Sequence, residues 1–114
     1  MITRLLGKTT RANRPDLVDG ALGMMRKMSP ADVAEVQRGM AERPDSVETL
    51  KTINVPALLV TGDEDLLTGI NEAELMLKHI AGSQLCVIPK AGHYAAWEQG
   101  EEAARLLRLF LDRL

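Results

Sequence analysis

Aromatic residues are almost missing from this chain: one Trp, one Tyr and one Phe make up 3% of its 114 residues. A core must then be assembled from Leu, Val, Ile, Met and Ala, and there is no platform on which bases could stack. Basic residues are not in excess either, since the formal net charge is -2. These two shortages together exclude a nucleic-acid module, which needs a cationic footprint. Cys86 is the single cysteine, so no intrachain disulfide can form, and a reducing, cytoplasmic setting fits best. No apolar run approaches the roughly 18 residues of a membrane span, and the stretch from Met1 to Gly7 lacks the apolar core of a secretory signal. A membrane protein is therefore not expected, and there is no internal repeat or low-complexity tract.

What is present is ordinary for a globular chain, with 46% hydrophobic and 26% charged residues. The length suits one small folding unit, near the low end of independent stability. Its pattern changes near Pro56. The first half, residues 1–52, reads as helical. Pro15 opens a run in which Leu17, Val18, Ala21, Leu22, Met24, Met25 and Met28 share a broad helical face. Ser29-Pro30-Ala31-Asp32 is a helix start, with Ser29 as N-cap, Pro30 at the first helical position and Asp32 near the positive dipole end. That helix carries Val33, Val36 and Met40 and should stop before Pro44. Asp45 and Glu48 stand at capping-box spacing ahead of a short helix ending near Thr52.

Residues 53–114 have a different period. Ala57-Leu58-Leu59-Val60 is a continuous apolar run, the mark of a strand buried on both faces. A helix over Asn71 to Ile80 follows, ended by Gly82, then a second strand over Leu85 to Ile88 closed by Pro89. Glu101 to Leu114 reads as an amphipathic helix with Ala104, Leu107, Leu111 and Leu114 on one face, widened by Leu106, Leu109 and Phe110. The fold class is α/β, and strand–helix–strand–helix implies a right-handed parallel crossover. Two parallel strands leave both outer edges unpaired, so further strands or a second copy of the chain should cover them.

Two turns stand out. Thr61-Gly62-Asp63-Glu64-Asp65 and Ala91-Gly92-His93 each follow a strand-like run. Taken by themselves, the three acidic residues suit a solvated loop as well as a catalytic acid, and His93 suits a local turn contact as well as a base. The stretch from Ile53 to Asp65, then Ala91-Gly92-His93 and Trp97-Glu98, resembles the C-terminal part of an α/β-hydrolase, in its esterase, enol-lactonase and haloperoxidase-like branch. Leu5-Leu6-Gly7 through Arg43-Pro44-Asp45 resembles the last cap helices of that family. The resemblance implies a partial α/β-hydrolase fold, cap-type helices over 1–52 followed by a βαβα unit with two parallel strands over 53–114. It also implies that Asp65 is the triad acid and His93 the base. Departures lie at Leu66, Gly69 and Gly100, where the family often has prolines.

A base of this kind serves a nucleophile on a sharp strand-to-helix turn spelled G-x-S-x-G, and that motif is absent from the chain. Ser29 and Ser46 read as helix-cap residues, and Ser83 lacks both the second glycine and the following helix. Cys86 reads as a buried, inert thiol and His79 as a helix-terminal charge. No cofactor or metal is expected. Gly7-Lys8-Thr9 has Ile2 where a phosphate loop needs glycine, and the acidic loop lacks EF-hand spacing. The methionines, Met24, Met25, Met28 and Met40, read as core filling ahead of a pocket lining. Three functions follow: part of an ester or lactone hydrolase inactive by itself, half of a split hydrolase completed by another chain, or a non-catalytic self-associating domain. A homodimer or a complementary hydrolase fragment is the expected partner.

Overall fold

The computed structural model describes all residues, Met1–Leu114. Five helices come first: α1 (Ile2–Leu5), α2 (Lys8–Asn13), α3 (Pro15–Arg26), α4 (Pro30–Glu42) and α5 (Val47–Leu50). They begin where local chemistry starts a helix. Proline occupies the first position of α3 and α4, where its missing N–H costs no bond, and Ser29 Oγ accepts the Asp32 N–H at 3.5 Å. The box expected at Asp45 does not form. Ser46 takes the N-cap position, Asp45 Oδ1 accepts the Val47 N–H at 3.0 Å, and Glu48 pairs with Lys51 instead. The short Asp side chain reaches the amide two residues on, and this Asx turn takes the place of the box.

β1 (Leu58–Gly62) and β2 (Gln84–Ile88) are parallel, in register from Leu58 opposite Gln84 to Gly62 opposite Ile88, and α6 (Ile70–His79) joins them. The chain ends with α7 (Ala95–Glu98) and α8 (Gly100–Asp112). α6 ends on extended Ile80, two residues before Gly82, whose φ of 74° makes the turn into β2. Ile88, Ala91 and Ala95 are buried together, with Ala103 and Leu106 of α8 laid against them. The inward stripe of α8 is therefore Ala103 and Leu106, and the stripe expected inside is outside: Leu107, Leu111 and Leu114 are exposed. Two apolar stripes lie side by side on this helix, and spacing by itself does not choose between them.

The strands are also less covered than their apolar run suggested. Val60 is 43% exposed in the middle of β1, and Val87 of β2 is open as well. β1 pairs with β2 along one edge only. Met24, Met28 and Met40 are more than half exposed rather than filling a core, and α4 buries no residue. Cys86 is half-buried. The accessible surface is 8041 Å², against about 6,200 Å² for a compact protein of this mass. The radius of gyration, 15.8 Å, likewise exceeds the roughly 13 Å of a compact chain of this length.

Lys90 carries the one positive φ of a non-glycine residue, 58°, at the exit of β2. A Cβ there costs about 1–2 kcal/mol, against which glycine loses roughly 0.5–1 kcal/mol of chain entropy. Lys90→Gly is expected to be neutral or to gain up to about 1.5 kcal/mol, read from the midpoint of urea unfolding.

Candidate functional site

The turn after β1 is built by close backbone approach. At Gly62 a Cβ would lie 2.2 Å from the Ala91 carbonyl oxygen, so only glycine lets β1 run this close to the segment leaving β2. The ladder then continues past the strands: Asp63 N–H donates to Ile88 O at 3.0 Å and Glu64 N–H to Ala91 O at 2.8 Å. Asp65 closes the turn and points its carboxylate inward, its side chain only 5% exposed. Oδ1 accepts the N–H groups of Leu67 (2.8 Å) and Thr68 (3.1 Å), which leaves Oδ2 to face His93 Nδ1 at 3.1 Å.

His93 follows the buried Gly92 and is held by its backbone, its N–H donating to Leu5 O at 2.9 Å. The ring is about a third exposed, and Nε2 makes no hydrogen bond within the chain. Thr68 Oγ1 lies 3.3 Å from Nδ1, the same ring nitrogen that Asp65 faces. This hydroxyl therefore cannot stand in for a nucleophile, which must meet Nε2. Beside the pair, a cleft of about 380 Å³ runs along the open edge of β1, lined by Leu58, Val60, Gly62, Asp65, Met76 and His93 among others. An imidazole that lines a partly apolar cleft, with an Asp carboxylate on one ring nitrogen and the other free of hydrogen bonds, can accept a proton from a hydroxyl and return it.

Burial raises the Asp65 carboxyl, but the Leu67 and Thr68 amides and His93 outweigh it, and the net shift is downward. Glu64 is likewise raised by burial and lowered further by the hydroxyl and N–H of Thr9, at 2.6 and 2.8 Å, and by Lys8 and Arg11. A depressed folded pKa contributes stability that is complete above the unfolded value and is lost as pH falls through the folded one. Stability is thus expected to fall once pH drops below about 4, near the unfolded carboxyl values. Asp65→Asn should flatten that decline, which urea midpoints measured between neutral and acid pH would show.

The acidic loop is not merely solvated, since Glu64 and Asp65 both accept bonds from the chain. Gly7 serves as the N-cap residue of α2. Ser29 caps α4, Ser46 heads α5, and Ser83 Oγ donates to Ile80 O at 2.8 Å. His79 Nδ1 lies 2.8 Å from Leu75 O on its own helix. No group of His, Cys, Asp and Glu side chains is placed to hold a metal ion. Sequence reasoning missed Thr68 and gave Glu98 no role, although Thr68 stands at turn spacing from Asp65. Glu98 is an acid closing the apolar stretch Ala95-Ala96-Trp97, and it proves buried.

No protein-family model matches the chain. It is 39% identical over 72 residues to the pimeloyl-(acyl-carrier protein) methyl ester esterase of Neisseria meningitidis, a match covering 63% of this chain and 28% of that protein. A thermophilic esterase from Thermogutta terrifontis superposes with a TM-score of 0.93 at 36% identity, over 99% of this chain and 42% of the other. An alpha/beta hydrolase from a Medee basin deep-sea metagenome library, MGS-M2, superposes at 0.83 with 21% identity, over 98% of this chain and 42% of that one, and shows the fold. The chain spans less than half the length of each. A parallel strand–helix–strand unit with these two turns, superposing on an esterase over almost every residue, places the chain in the α/β-hydrolase superfamily, as a part of that fold.

Proposed function

We propose that this chain is the acid-and-base portion of a serine-type hydrolase acting on carboxylic esters or lactones, with Asp65 as acid and His93 as base. The observation that carries it is the 3.1 Å contact between Asp65 Oδ2 and His93 Nδ1 with Nε2 left free. In this role His93 takes the proton of a nucleophilic hydroxyl and later gives one to the leaving group, while Asp65 orients the ring and stabilises the imidazolium. A lactone is an internal ester, so one acyl-transfer chemistry serves both substrates. The esterases among its relatives support the class of reaction. Because the sequence contains no G-x-S-x-G, the 114-residue chain by itself is expected to hydrolyse no p-nitrophenyl ester.

The nucleophile in this reading comes from a segment that pairs with the open edge of β1. Joining the chain to the front portion of the Thermogutta esterase supplies such a segment. The chimaera is expected to hydrolyse p-nitrophenyl esters and to lose that activity in His93→Ala. A folded chimaera whose turnover ignores His93 would refute the assignment.

A second reading, self-association without catalysis, draws on the surface that the chain leaves open. The excess over a compact protein, about 1,800 Å² from the mass scaling, is more than the roughly 800 Å² each partner gives to a standard interface. It predicts a dimeric mass by light scattering at micromolar concentration, reduced to monomer by Val60→Lys on the open strand. A monomer at all concentrations would leave the complementary segment as the partner.

A further inference from the structure

Glu98 is the one carboxylate among the fully buried residues, 3% exposed at the end of α7. No cation pairs with it. Oε1 accepts the Gly7 N–H at 2.8 Å and the Thr10 hydroxyl at 2.7 Å, and Oε2 accepts the Gly92 N–H at 3.0 Å. A buried charge held only by neutral donors is costly to desolvate, and packing alone would be served better by an apolar side chain. What the two oxygens achieve is a junction. One grips the N-terminal segment and the other grips the residue immediately before His93.

The same segment holds the loop a second time, because Leu5 O accepts the N–H groups of both His93 and Tyr94. It also reaches the acid side, where Thr9 donates twice to Glu64, the neighbour of Asp65. The stretch Leu5–Thr10 therefore spans both loops of the site, and Glu98 is its tie to the histidine loop. We propose that Glu98 is a positioning residue for the Asp65–His93 pair, clamping Gly92 so that His93 Nδ1 stays against Asp65 Oδ2. Its catalytic meaning rests on the reading of that pair as acid and base; the clamp itself is a matter of geometry.

Glu98→Gln tests it in the full chain. Glutamine keeps the shape but offers one oxygen where two are used, so its NH₂ must confront either Gly92 N–H or the Gly7 and Thr10 donors. Long-range ¹⁵N–¹H NMR of the imidazole shows which ring nitrogen carries the proton near neutral pH, a signature that mere loss of stability would not move. The wild-type chain is expected to hold the Nδ1–H form. The folded variant should shift population to Nε2–H, and its Gly92 amide should lose hydrogen-exchange protection. A folded Glu98→Gln that keeps the Nδ1–H form overturns the proposal and leaves the acid–base reading intact. A wild-type ring that carries its proton on Nε2 overturns that reading, and with it the role of Glu98 in positioning the pair. If the glutamine variant does not fold, Glu98→Asp is read the same way. Its carboxylate is too short to span both loops, so an unchanged tautomer there is equally fatal.

Discussion

Gly92→Ala is expected to cost about 4 kcal/mol or more, enough to leave little folded chain. The new Cβ would sit 2.3 Å from Gly7 N, 2.7 Å from Leu6 C and 2.9 Å from Gly7 Cα. All three are backbone atoms, so no rotamer change relieves the clash. Overpacking of a tight site costs roughly 1–3 kcal/mol when neighbours can move. Here the neighbour can move only if the N-terminal segment leaves the loop. Doing so breaks the bonds of His93 and Tyr94 to Leu5 O and takes the Gly7 N–H and the Thr10 hydroxyl away from the Glu98 carboxylate. Each buried donor or acceptor left without a partner costs about 1–3 kcal/mol more. Gly39→Ala is the control: nothing lies within 4 Å of its Cβ position, and a helix interior favours alanine by about 1 kcal/mol. Urea unfolding of both variants decides the matter, and a Gly92→Ala protein as stable as wild type would show that the segment does not pack as described.

A large catalytic effect that leaves the base itself in place is expected from Asp65→Asn in the chimaera that supplies a nucleophile. Asn and Asp have the same shape, so the fold should persist. Oδ1 must still accept the amides of Leu67 and Thr68, which forces the side-chain NH₂ to the place of Oδ2, 3.1 Å from His93 Nδ1. A donor at that place requires Nδ1 to be the acceptor, which moves the ring proton to Nε2. The nitrogen facing the nucleophile is then protonated and cannot take the hydroxyl proton. A fall in kcat of about 10⁴-fold is the expected scale for such a wrong tautomer, with KM nearly unchanged because no substrate contact is removed. Steady-state kinetics on a p-nitrophenyl ester measure both constants, and a loss below tenfold would show that Asp65 does not set the tautomer of the catalytic base.

The α/β class, the parallel crossover and most helix positions were legible in the residues because they depend on local signals. Pro30 and Ser29 start α4 through bonds made within four residues. The apolar runs about Leu58 and Leu85 mark strands because burial favours that pattern over a short stretch. Less legible was anything set by a neighbour distant in sequence. The face of α8 that turns inward is only partly legible: Leu106 stands in the widened apolar face, but two stripes compete and only the seat over Ile88 and Ala95 selects Ala103 and Leu106. The cover expected on both sides of β1 is missing at Val60, because the residues of this chain pair one edge of that strand and no more.

The one-dimensional pattern by itself determined a helical first half, a two-strand parallel unit and the two turns that bear Asp65 and His93, since those follow from periodicity, capping and glycine placement. Only the folded arrangement decided that Oδ2 rather than Oδ1 faces the imidazole, that Thr68 shares its Nδ1 side, and that Glu98 ties the first ten residues to the histidine loop. Those are contacts between groups up to 91 positions apart. Their partners are chosen by where the backbone brings donors and acceptors together in a space that excludes water, and a buried polar group accepts whichever partner lies within reach.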